Sequence, residues 1–94
     1  MRKTETQFHA EVVAMAKMMG YLVYHTYDSR RSEPGFPDLV LVGRDRILYR
    51  ELKTETGKLS PAQKNWGEQL QASGGDWDVW RPSDMPEIIK ELSQ

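Results

Sequence analysis

The sequence contains no cysteine, which excludes a disulfide framework, a thiolate zinc site and a cysteine nucleophile. It has no apolar run long enough to span a bilayer. The N-terminus, MRKTETQFHAEVV, carries basic residues but no uninterrupted apolar core, so no signal peptide is expected and the default compartment is the cytoplasm. There is little net charge either. A formal value of -1 gives no global attraction to nucleic acid, so any such binding has to come from local patches. No glycine-rich phosphate loop is present, and Ser29, Ser32 and Ser60 lack a nucleophile elbow. His9 and His25 stand too far apart in the chain to suggest a zinc pair, and each is expected to be a partly exposed histidine.

What is present describes one small folded domain over residues 1–94, with 38% apolar and 29% charged residues and three tryptophans. From Thr4 to Met19, Phe8, Val12, Met15 and Met19 recur at helical spacing with Ala16 beside them, Thr4 is the expected cap and Gly20 the stop. Glu5 lies on that apolar stripe, and Glu11 is rotated away from it. Tyr21–Tyr24 reads as a short strand, followed by a polar loop from His25 to Pro37 that contains Arg30 and Arg31. Asp38–Val42, continuously apolar after the acid, reads as a strand covered on both faces, and 47–53 as its hairpin partner across a turn at 43–46. Ser60, Pro61 and Gln63 announce a helix that runs to about Ala72, with Trp66 and Leu70 as its apolar stripe. Trp77–Trp80 is a last strand. Ser83 or Asp84 then caps a helix whose apolar face is Met85, Ile88, Ile89 and Leu92. The order helix-strand-strand-strand-helix-strand-helix is that of an α/β fold with a small mixed central sheet flanked by helices.

The chemistry concentrates between Gly35 and Lys53. Residues two apart on a strand share a face, so Glu51 and Lys53 project the same way as Ile47 and Tyr49, leaving Arg50 as a polar exception between Leu48 and Leu52. In a hairpin, Asp38 comes close to Glu51, because both acids lie far from the turn. Two carboxylates and an ammonium converging on one patch suit a hard divalent cation acting on a phosphate, and the Leu52 backbone carbonyl is a candidate third oxygen ligand. Lys53 is then placed to orient the nucleophile or to offset developing negative charge. Arg30 and Arg31 are the candidate contacts for phosphate oxygens. Gln63, three residues before Trp66, either closes a capping box or serves the patch.

The constellation Gly35-x-Pro37-Asp38, then Glu51-x-Lys53, then Ser60-Pro61-x-Gln63 closely resembles the VRR-NUC domain, a branch of the PD-(D/E)xK nuclease superfamily. The resemblance covers nearly the whole chain, although the name-giving Val-Arg-Arg is not reproduced. It implies a restriction-endonuclease-like core in which Asp38 and Glu51 bind Mg²⁺ or Mn²⁺, Lys53 assists hydrolysis, Glu5 completes the acidic side and Gln63 supports it. Stand-alone members look like small phage or bacterial enzymes similar to Holliday-junction resolvases. The resemblance therefore implies a homodimer acting on branched DNA in a bacterial or phage-infected cell. A two-fold dimer supplies the two equivalent cuts that a four-way junction needs, and the first helix, Tyr24 and Tyr27 are candidate interface residues. The alternatives are a flap-, end- or sequence-directed nuclease on the same core, and a non-catalytic DNA-binding module.

Overall fold

The computed structural model describes residues 3–26 and 33–94. Helix α1 spans Glu5–Met18. The Thr4 hydroxyl accepts the Gln7 N–H at 3.1 Å, and Gln7 Oε1 accepts the Thr4 N–H at 2.9 Å. That reciprocal pair satisfies amide groups which a helix start otherwise leaves open. Phe8, Val12 and Ala16 are buried, and Met15 and Met19 pack beside them. Strands β1 (Leu22–His25), β2 (Leu39–Gly43) and β3 (Arg46–Leu52) form an antiparallel meander, and β4 (Asp76–Trp80) joins β3 in parallel. The crossover to β4 contains α2 (Pro61–Ala72), and a single 3₁₀ turn at Pro82–Asp84 leads into α3 (Met85–Ser93). The element order and the mixed four-stranded sheet are those expected from the sequence. Strand β1 starts one residue later, because Tyr21 turns into the core and donates its hydroxyl to the Leu92 carbonyl at 3.2 Å.

The pairing register sorts the sheet into two unlike faces. Leu39, Leu41, Leu48, Leu52 and Trp80 point toward α1 and α3, where they meet Phe8, Val12, Ile88 and Leu92 in one core. On the opposite face, α2 lies against β4. Gly67 sits so close to the Trp77 ring that a Cβ there would lie 2.5 Å from it. Gly67 is the one fully buried position of α2, while Trp66 and Leu70, the expected stripe, are only half-buried. Helix α3 buries Ile88 and Leu92 and leaves Ile89 exposed. Asp84 makes no side-chain cap there; its carboxylate accepts the Arg81 N–H at 2.8 Å instead.

The expectation that β2 is covered on both faces fails. Leu39 and Leu41 are buried, but Val42 is exposed, together with Ile47, Leu22 (74% exposed) and Tyr24 (61%) on the same face. A helix is about 10 Å across and strands are spaced ~4.8 Å, so one helix seated over β4 leaves the β1 side of the sheet open. Among the described residues no helix is long and apolar enough to cross a membrane.

Candidate active site

The hairpin register pairs Leu39 with Arg50, and continuing it by one residue sets Asp38 opposite Glu51, at the end of the sheet remote from the turn. Backbone on both sides fixes Asp38. Its Oδ2 accepts the Leu52 N–H at 2.9 Å, and its carbonyl accepts the Thr26 N–H at 2.9 Å. Glu51 is only 2% exposed. Its Oε2 accepts from Gln63 Nε2 at 3.2 Å and lies 3.9 Å from Lys53 Nζ. Burial, a hydrogen bond to Asp38 and the charges of Asp38 and Glu5 push the Glu51 carboxyl up to about 9, against a smaller opposing pull from Lys53.

The two roles weighed for Gln63 coexist in one side chain. Its Oε1 accepts the Ser60 N–H at 2.8 Å and the Ser60 hydroxyl accepts the Gln63 N–H at 3.1 Å, closing the capping box. Its amide nitrogen is thereby turned to Glu51. The loop before Asp38 is pressed onto the same helix start. Gly35 has a φ of +89° and packs so tightly that a Cβ would lie 2.4 Å from the Ala62 backbone. Trp66 Nε1 donates to the Pro34 carbonyl at 3.1 Å, and the Phe36 and Trp66 rings meet edge to face at 5.2 Å. Only glycine combines that φ with that approach.

Glu5 reaches the rim rather than the floor. Its side chain is 62% exposed, with Oε1 3.7 Å from His9 Nε2. Glu11, rotated away as expected, pairs with Lys3 at 2.6 Å. Both histidines are half-buried, as expected, but they are not apart: they touch, Nδ1 of His9 to Nε2 of His25, at 3.2 Å, and His9 Nε2 is 3.8 Å from Asp38 Oδ2. Sequence separation misled because α1 and β1 lie side by side, which brings position 9 to the strand end at position 25. The available signal was the i,i+4 spacing from Glu5 to His9, which puts both on one helix face. His25 titrates below the usual histidine value because of burial and then the neighbouring His9, with Asp38 opposing. A groove of about 690 Å³ lined by Glu5, His9, Lys17 and His25, among others, opens beside this cluster.

Arg30, Arg31 and Tyr27 lie outside the described residues. At the opposite end of the hairpin, Arg44 donates to the Met19 and Gln94 carbonyls and Arg46 to the Glu91 carbonyl. The Arg44 contacts brace a two-residue turn in which Arg44 and Asp45 both hold positive φ, 53° and 60°.

A family model, the VRR-NUC domain, matches residues 4–84. The chain belongs to the VRR-NUC family. It thus carries a nuclease domain. Among solved structures, the fold is similar to a VRR_NUC domain protein with a TM-score of 0.77 at 20% identity, covering 100% of this chain and 88% of that one. It is also similar to a VRR_NUC domain with a TM-score of 0.66 at 25% identity, covering 94% and 97%. No curated protein matches the sequence.

A divalent cation suits this VRR-NUC site on chemical grounds. Two carboxylates are brought together, Asp38 half-buried and Glu51 buried, and Glu51 keeps its proton to an unusually high pH unless positive charge is supplied. Nearby, His9 Nε2 is buried without a hydrogen-bond partner among the described residues. Among the described residues no three His, Asp or Glu side chains close a ready-made cage. A pair of carboxylates with an open edge is the kind of oxygen site that a hard cation such as Mg²⁺ accepts.

Proposed function

We propose that the protein is a metal-dependent DNA endonuclease, selective for branched DNA such as four-way junctions and acting as a homodimer. The observation that carries the reading is Glu51, a buried carboxylate set against Asp38 with Lys53 3.9 Å away. Asp38, Glu51 and the Leu52 carbonyl would hold Mg²⁺ or Mn²⁺, and such a cation, when bound, would lower the pKa of water and so supply a hydroxide nucleophile for the phosphodiester. Lys53 places its ammonium at the mouth of the acidic pair, where it orients the attacking water and offsets charge on the phosphate oxygens. Gln63 holds Glu51 in one rotamer, and Glu5 adds negative charge at the rim.

Arg30 and Arg31 grip the backbone phosphates beside the cut. What supports this is that the segment carrying them leaves from Thr26 and returns to Asp38, residues joined by a 2.9 Å hydrogen bond. The exposed apolar face around Leu22, Tyr24, Val42 and Ile47 supports the homodimer, since it offers a second copy a surface of the kind interfaces bury. The cytoplasm of a bacterial or phage-infected cell is the proposed setting.

The test is to incubate labelled four-way junction, flap and plain duplex with the protein, in Mg²⁺ and in chelator. Junction cleavage that needs Mg²⁺ and disappears in Asp38→Ala and Glu51→Ala, with circular dichroism unchanged, is the expected result. Full activity in either variant overturns the site. Cleavage of flaps alone overturns the junction preference, and binding without cleavage reassigns the domain as a binding module.

A further inference from the structure

His9 has no part in the reading above, yet it is the best-placed polar group left over. Its Nε2 is buried without a hydrogen-bond partner among the described residues and faces two carboxylate oxygens, Glu5 Oε1 at 3.7 Å and Asp38 Oδ2 at 3.8 Å. Its other nitrogen is engaged with His25 Nε2 at 3.2 Å. A neutral imidazole carries one N–H and one lone pair. A lone pair on Nε2 would point at two carboxylates and be repelled, whereas an N–H there is attracted. Nδ1 is then the acceptor, and His25 Nε2 has to be the donor.

We infer that His9 is a positioning residue of the acidic pair: held by His25 in the tautomer with its proton on Nε2, it presents that N–H to Asp38 and Glu5. Asp38 Oδ2 already accepts the Leu52 N–H at 2.9 Å, so a second N–H directed at the same oxygen fixes the plane of the carboxylate and leaves Oδ1 as the oxygen offered to a cation. The present separations are too long for hydrogen bonds, which need about 2.9 Å. Loose contacts of this kind in a free enzyme tighten when the site is filled. Hydrogen bonds to the side chains that ligate a metal set its affinity through orientation, and their loss costs roughly 10–100-fold.

The cation role rests on the metal reading of the site, whereas the tautomer does not. Nitrogen-15 NMR of the wild-type protein without metal should show His9 protonated at Nε2 and not at Nδ1. Mn²⁺ titrations followed by electron paramagnetic resonance should show His9→Ala binding about tenfold more weakly, His9→Gln recovering most of the loss through its amide N–H, and His25→Ala losing less than His9→Ala. A wild-type Nδ1–H tautomer overturns the inference. A His9→Gln variant that binds Mn²⁺ as weakly as the alanine one overturns the part given to the Nε2 N–H. Wild-type protein that binds no Mn²⁺ overturns the metal reading itself, and with it the role of His9 toward a cation. Wild-type binding with His9→Ala unaffected overturns that role alone.

Discussion

Arg50 and Glu51 are neighbours in the chain, 1% and 2% exposed, and they face opposite sides of one strand. Each is a buried ionisable group, and their surroundings could hardly differ more. Arg50 donates to the Asp76 carbonyl at 2.6 Å, to Asp76 Oδ1 at 3.0 Å and to Glu91 Oε1 at 3.2 Å, and its guanidinium lies 4.9 Å from the Trp80 ring centre. Arg46 contacts the same two acids, at 3.4 and 3.2 Å. Two cations therefore meet two anions, and the cluster fastens β3 to β4 and α3. Around Glu51, among the described residues, three carboxylates, its own and those of Asp38 and Glu5, meet the Lys53 ammonium and the His9 imidazole. A buried cluster with matched charge holds the fold, whereas one left short of positive charge is a place for something to bind.

The largest effect expected from breaking this contrast lies on the matched side. Arg50→Ala removes the buried guanidinium with its hydrogen bonds and empties the space beside Trp80, while Arg46 still faces the two acids, and urea unfolding should show a loss of about 3 kcal/mol. Next, Mg²⁺ or Mn²⁺ should raise the thermal midpoint of the wild-type protein, by about 2.7 kcal/mol of stability at a hundredfold excess over Kd. Glu51→Gln should abolish that gain in the same melts, while substitutions at Arg46 leave it intact.

A smaller effect is the pH dependence of Glu51. The carboxyl loses its proton near 9 in the fold, against 4.5 for an ordinary glutamate. Below 4.5 the folded and unfolded chains are both protonated there and nothing is lost. Between 4.5 and 9 the folded chain must keep a proton that the unfolded one releases, so stability falls as pH rises across that window. Glu51→Gln should therefore melt on the order of 5 °C higher than wild type at pH 7.5 without metal, with the difference vanishing near pH 4. Smallest is the dissection of Gln63. Ser60→Ala should cost about 1 kcal/mol as a lost cap with cleavage nearly retained, while Gln63→Ala should cost a similar amount and also slow cleavage. Equal cleavage in the two variants would reduce Gln63 to a cap.

Most of the fold was legible because its signals are local. Thr4 and Ser60 open helices, the apolar residues of α1 repeat at helical spacing, and the two acids sit at strand ends. What the sequence did not yield depends on contacts distant in the chain. The His9–His25 pair exists only because α1 packs beside β1. The open face of β2 depends on where α2 docks, and DLVLV reads alike whether one side is covered or two. Arg50 stood out as a polar residue among leucines, but its partners, Asp76 and Glu91, lie 26 and 41 residues away.

Gly35 gives the family's Gly-x-Pro-Asp signature a mechanical meaning. Because its Cα rests directly on the first turn of α2, it acts as a spacer of zero thickness between the part of the chain that delivers Asp38 and the part that delivers Gln63. Any side chain at position 35 is a shim driven between them, so a residue with no chemistry of its own sets the gauge of the site. Gly35→Ala should yield a destabilised protein whose two halves are forced out of alignment, one with a lower thermal midpoint and with cleavage reduced even well below that midpoint.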